Sequence, residues 1–269
     1  MSDSLAVVGK LLLYGGATIA IGSRAAQWAR GATWSARTTR ASRRRDLLAW
    51  LAVMVALVVM FAGQFIALDL SPTLTDVAML LRQTAWGFGW SVLAITALLG
   101  TFVTSLRAPL AIGSVIALAL AVGMSGLGHA AADDLPILAR GLDTLHIVGV
   151  GAWIGLLWCA GSTLSREEWS RVSWLAGLSA PLTLVSGAGS AVRRVYGQPV
   201  ATIIASDYGR LLAIKLALVA IVLVLGWRNR NEIRATGAPN ATRVRIELIV
   251  AIAVFVATSV LTGTAPTGE

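Results

Sequence analysis

Eight stretches of this chain are each apolar for about twenty residues, and its charged residues lie almost entirely between them. A bilayer's hydrocarbon core is about 30 Å thick, and roughly 20 helical residues cross it. Backbone groups in lipid must find partners within their own segment, so each apolar run is expected to be helical. The runs fall near residues 5–23, 47–68, 84–105, 109–130, 141–163, 172–192, 209–227 and 245–263. The expected fold is all-α, a polytopic membrane bundle of about eight transmembrane helices forming one domain over residues 1–269. Residues 72–83 are amphipathic and are expected at the membrane surface before the third span.

Charge patterning supports this class and excludes another. Charged residues are only 13% of the chain, against about one quarter in soluble domains. In a soluble protein the net charge of +9 would suggest nucleic acid. Here the Arg residues sit in short connections between apolar runs, which points to the lipid bilayer as partner and not to nucleic acid. The first run has only Asp3 before it and Arg after it. A cleavable signal has the reverse order, so this run is expected to be a retained helix.

The distribution of Arg sets the expected orientation. One set of alternate connections holds Arg24, Arg30, Arg37, Arg40, Arg43, Arg44 and Arg45, then Arg107, then Arg166 and Arg171, then Arg228, Arg230, Arg234, Arg243 and Arg245. The other set holds Arg82, Arg140, Arg193, Arg194 and Arg210. The positive-inside rule assigns the richer set to the cytoplasm and both termini to the opposite side. Trp50, Trp169, Trp174 and Trp227 fall at the inner ends of spans, and Trp86, Trp90, Tyr196 and Tyr208 near outer ends. Anchoring in the headgroup layer is the simpler reading for most of them. Pro181 should kink the sixth span. Gly151 and Gly155 form a small-xxx-small pair suited to close packing on a neighbouring helix.

The chain has two histidines, and 16 residues separate them. His129 ends the fourth run and His146 opens the fifth, so a hairpin brings both imidazoles to its outer end. Imidazole is a common ligand for copper, zinc and iron, and a shared metal site is the reading taken here over two interfacial histidines bonded to backbone. Asp143 and Trp153 share a helical face with His146. Asp143 is placed to orient the ring or to act as a ligand. Asp133 and Asp134 lie in the connection and either attract a cation or are plain solvated charges. Met124 is a candidate soft ligand, although a regular helix sets it off to one side of His129. Cys159, the lone cysteine, lies about 20 Å deeper along the helix than His146 and cannot share its coordination shell. Lys215 is a charge inside a span, expected to pair with Asp143. Glu247 reads most simply as an interfacial partner of Arg243 and Arg245. No nucleotide-binding loop or other enzyme motif is present, and the chain is read as a non-enzyme.

A set of short segments carries a family resemblance. They are Trp169-Ser170-Arg171, Ser186-Gly187, Tyr208-Gly209-Arg210-Leu211-Leu212 with Lys215, Asn229-Arg230 and Glu247-Leu248. Gly128-His129-Ala130 and Leu145-His146, followed by Trp153-Ile154-Gly155, look like the histidine-bearing hairpin of the same family. Together they resemble the bacterial copper resistance protein D family, most densely over residues 169–262. The resemblance implies an inner-membrane protein that moves copper ion from the periplasm toward the cytoplasm, often beside a separate periplasmic copper-binding partner of the CopC type. It also makes Tyr208, Arg210 and Lys215 supporting residues. The Arg-rich stretch 24–45 is not something the family requires, and attraction to anionic lipid is the simpler reading of it. Two other readings stay open: a b-type membrane cytochrome with axial histidines, and a non-transporting membrane subunit or copper-stress sensor.

The charge bias predicts that both termini and the 131–140 connection face the periplasm, with residues 24–45 and 228–244 in the cytoplasm. A reporter that works only in the cytoplasm should be silent when fused after Glu269. Activity there would reverse the orientation.

Overall fold

The computed structural model describes residues 2–31, 36–70, 73–127, 135–160 and 164–264. His129, Asp133 and Asp134 lie outside the described residues. Within them the chain is helical throughout: α1 (Ser2–Arg30), α2 (Ala36–Ala67), α3 (Leu74–Gln83), α4 (Ala85–Ser105), α5 (Leu110–Ser125), α6 (Pro136–Ala160), α7 (Arg166–Arg194), α8 (Val200–Ala205), α9 (Asp207–Thr236) and α10 (Ala241–Leu261). The starts follow local capping chemistry. Thr84, Ser206 and Asn240 each accept a backbone N–H of the first turn, and Ser165 forms a reciprocal capping box with Glu168. Gly237, at φ 91°, closes α9 in the left-handed conformation that favours glycine.

Seven of these helices are long and apolar enough to cross a membrane: Ser4–Arg30, Arg40–Ala67, Ala85–Ser105, Pro136–Ala160, Arg166–Arg194, Asp207–Thr236 and Ala241–Leu261. The protein is an all-α polytopic membrane bundle. The remaining expected span, 109–130, corresponds to α5, which has 16 residues and rises only about 24 Å. Its expected end at residue 130 lies outside the described residues. The amphipathic segment is α3, which packs against the start of α4 through buried Leu80.

Helix α1 is the central post. It packs on α2, α5, α6, α7 and α10. Its tightest approach is to α6, where a Cβ on Gly22 would overlap the Gly155 backbone and a Cβ on Gly155 would overlap the Thr18 carbonyl. The expected Gly151–Gly155 packing pair is therefore the α1 contact, and the same five residues form a π turn within α6. A second tight contact places Trp50 of α2 against Gly100 of α4.

The alternate connections separate into two ends, as the charge pattern requires. At one end Arg24 pairs with Asp46, Trp28 donates to Ser114 Oγ at 3.1 Å, and Gly31 faces Arg171. At the other end Thr144 Oγ1 and Ser125 Oγ lie 3.3 Å apart, and Arg194 donates to the Thr264 carbonyl at 3.1 Å. The aromatic residues divide differently from expectation. Trp174, Trp227 and Tyr196 are exposed, as anchors should be. Trp50, Trp169 and Tyr208 are buried core residues, because helix ends at this bundle's centre contact one another rather than lipid.

Gly155→Val should destabilise the protein in detergent by more than the usual overpacking cost of about 1–3 kcal/mol, because the new Cβ meets backbone. Gly15→Ala, where nothing lies within 4 Å of the new Cβ, should change stability little. Equal thermal midpoints for the two variants would refute the α1–α6 contact.

Candidate metal centre

The site is built on the seam between α6 and α7, near the end opposite Arg24. Small residues bring the two helices together there. A Cβ on Gly149 would come 2.5 Å from Thr183 Oγ1, and one on Gly189 would come 3.1 Å from Leu142. Thr183 turns its hydroxyl back to the Ser179 carbonyl at 2.9 Å, leaving its own carbonyl toward α6. That carbonyl lies 2.9 Å from His146 Nδ1.

A carbonyl oxygen can only accept, so in the neutral ring Nδ1 carries the proton and Nε2 keeps its lone pair. This is the arrangement by which proteins fix a metal-binding imidazole: one nitrogen is held by a backbone acceptor and the other left basic. Gly187 makes it possible, since a Cβ there would come 2.7 Å from His146 Cε1 and 2.8 Å from Nδ1. One turn toward the helix start, Asp143 Oδ1 accepts from Ser190 Oγ at 2.7 Å. The carboxylate is thus anchored on α7, as the imidazole is.

Further groups close around this pair from three other helices. Lys215 of α9 is within electrostatic range of Asp143, His146 and Arg194. Tyr14 of α1 interacts with Thr262, just beyond α10, and feels both Asp143 and Arg194, and Lys10 feels Arg194. Arg194 lies over the Tyr208 ring, 5.3 Å from its centroid, a cation–π contact worth about 0.5–2 kcal/mol depending on desolvation. Among the described residues the neighbourhood therefore carries Lys10, Arg194 and Lys215 against the Asp143 carboxylate.

Several residues singled out in the sequence stand elsewhere. Lys215 and Asp143 do not close to a direct ion pair, although Asp143 is the charge that acts most strongly on the lysine, ahead of the repelling Arg194; Asp143 Oδ1 accepts from Ser190 instead. Arg210 is exposed and pairs at 3.4 Å with exposed Asp207, whereas Tyr208 between them is buried. Met124 is buried in the core with Leu13, Leu93 and Leu120, while its neighbour Ser125 makes the contact to α6. Trp153 sits two turns deeper, packed with Val222 of α9 and Ala251 of α10. Cys159 lies at the Arg24 end, its Sγ 3.8 Å from the Ile19 carbonyl. Glu247 is fully buried and bonded to Asn229, while Arg243 pairs with Glu232 at 2.6 Å instead. Thr183, Gly187, Ser190 and Arg194 were not singled out as site residues in the sequence. The small residues Ser186, Gly187, Gly189 and Ser190 within one span were the available signal.

The family model described as copper resistance protein D matches residues 167–265. Over this stretch the chain is similar to the copper resistance protein D family. The copper resistance D region supplies α7 to α10, and with them Thr183, Ser190, Arg194, Tyr208 and Lys215; His146 and Asp143 approach it from outside the match. The chain is thus a multi-pass membrane protein with a region similar to copper resistance protein D. No curated protein and no solved structure matches it. Among the described residues no three His, Cys, Asp or Glu side chains cluster as a metal shell, so His146 and Asp143 make an incomplete one.

Gly187→Val should push the imidazole off Thr183 without preventing membrane insertion. The nitrogen resonances of His146 in labelled protein would report loss of the fixed Nδ1–H form. Gly141→Ala, with open space at its Cβ, serves as control. Unchanged imidazole resonances in the Gly187 variant would contradict the contact.

Proposed function

We propose that the protein passes copper across the cytoplasmic membrane, taking the ion at His146 and His129 on the periplasmic side and moving it inward. The observation that carries this reading is the His146 imidazole, fixed through Nδ1 by the Thr183 carbonyl so that Nε2 is the free ligand atom. It stands on the seam with a region of the copper resistance protein D family. His129, 17 positions before it in the sequence, supplies the second imidazole. Two imidazoles satisfy linear Cu(I), whereas Cu(II) calls for further oxygen donors such as Asp143 or water. Met124 has the softness to help, but its packing with Leu93 and Leu120 favours a core role.

An incomplete shell suits a transport site, where the ion must leave as readily as it enters. The positive surplus of Lys10, Arg194 and Lys215 acts in the same direction, since it weakens the hold on a bound cation. A separate periplasmic copper-binding protein of the CopC type is the natural donor to such a site. The haem alternative requires a second axial imidazole across a macrocycle from His146. A haem absorption band in the purified protein would replace the copper reading with that one.

His146→Ala and His129→Ala, singly and together, should abolish copper accumulation in vesicles of known orientation while leaving membrane insertion intact. Normal uptake by the double variant would refute the entry site. Copper leaving rather than entering would reverse the direction and keep the site.

A further inference from the structure

A second buried polar site lies in the seam between α9 and α10. Glu247 is 0% exposed, one of the largest fully buried side chains among the described residues. Its Oε2 accepts from Asn229 Nδ2 at 2.6 Å, and Asn229 is itself only 4% exposed. Glu247 Oε1 and Asn229 Oδ1 are both buried without a hydrogen-bond partner. Gly226, one turn before Asn229, leaves the space at Oε1, since a Cβ there would come 3.1 Å from it.

Both unpartnered atoms are acceptors when the carboxyl is ionised, and a buried acceptor without a donor is costly. A carboxylate inside a membrane span is costlier still. One proton answers both problems. A protonated Glu247 gains a single O–H donor, and the acceptor left over on the same partner is Asn229 Oδ1. Acid and amide then exchange two hydrogen bonds: Nδ2–H to Oε2 and Oε1–H to Oδ1. Loss of the proton opens this ring and leaves two acceptors in the seam.

Among the described residues no charged group competes for the carboxylate. On α9, Arg228 is exposed and Arg230 lies against Gly177 of α7. On α10, Arg243 is held by Glu232 and Arg245 is exposed. From α6, Cys159 turns to the Ile19 carbonyl of α1. Lys10 and Tyr14 of α1 stand at the far end of the bundle, where Lys10 faces Gly263 and Tyr14 bonds Thr262. Asn229 is the side chain that acts on Glu247.

We propose that Glu247 and Asn229 form a proton-binding site inside the membrane bundle, and that its proton is the coupling ion for copper movement. The second half rests on the transport reading above. The same two helices carry Tyr208 and Lys215 on α9 and Thr262 beyond α10, so opening the Glu247 seam acts on the helices that line the His146 site.

The test separates the two halves. Infrared difference spectra of the whole protein in lipid, taken through a pH titration without copper, should show a protonated carboxyl C=O band that disappears as pH rises. Glu247→Gln should remove that band and still fold, because its amide reproduces both hydrogen bonds with Asn229. Asn229→Leu should keep the band and shift it to higher frequency, which serves if the Gln variant does not fold. In vesicles, an imposed proton gradient should change copper uptake by the native protein and leave uptake by Glu247→Gln at its no-gradient level. A band that is absent, that survives Glu247→Gln, or that persists at every pH would overturn the proton site. An intact band with a gradient response retained in Glu247→Gln would overturn the coupling. Native protein that moves no copper at all would refute the transport reading, and with it the coupling, while leaving the infrared result to decide the site.

Discussion

The contact of Gly22 with Gly155 sets the geometry of the rest of the bundle. It lets α1 and α6 touch backbone to backbone, and α1 also contacts α2, α5, α7 and α10. In lipid there is little hydrophobic drive between helices, so close packing and interhelical polar contacts must hold them. The π turn at Gly151–Gly155 falls at this contact, and π turns are frequent at functional sites. Above it, α6 presents His146 and Asp143 to α7. Below it, α6 ends among arginines.

Those arginines explain what the Arg-rich connection does. Arg30 donates to the Ala160 carbonyl and Arg45 to the Cys159 carbonyl at 3.1 Å, at the last turn of α6. Cations there match the negative end of the helix dipole and satisfy carbonyls that have no partner within the helix. Arg24 pairs with Asp46, which is 3% exposed at its side chain. Lipid attraction is therefore not the role of these three residues: they tie α1, α2 and α6 together inside the protein. Removing one member of such a buried pair leaves an uncompensated charge, which costs about 3–5 kcal/mol.

Much of this was legible in the sequence, because bilayer thickness and the need to satisfy backbone groups leave little choice. Span positions, the surface segment that became α3, the two-ended sorting of arginine and the Gly151–Gly155 contact all follow from local rules. Partners on other helices do not. Glu247 looked interfacial because Arg243 and Arg245 are its sequence neighbours, yet burial turned it to Asn229, 18 positions away. Lys215 was matched to Asp143 by depth, and Asp143 is the charge that acts most on it, but the two do not close to a direct pair and the carboxylate's hydrogen bond is to Ser190. Tyr208 and Trp169 looked like anchors because aromatic residues at span ends usually are. The chain fixes which residues lie at one depth; the packing of α6 against α7 decides which of them meet.

The central claim is that His146, held at Nδ1 by the Thr183 carbonyl, offers Nε2 to copper. Pulsed electron paramagnetic resonance on the Cu(II)-loaded protein tests it most directly, since a bound imidazole shows coupling to its remote, uncoordinated nitrogen. The native protein should show that remote-nitrogen modulation, and His146→Ala should lose part or all of it. An identical spectrum from the native protein and His146→Ala would contradict the claim.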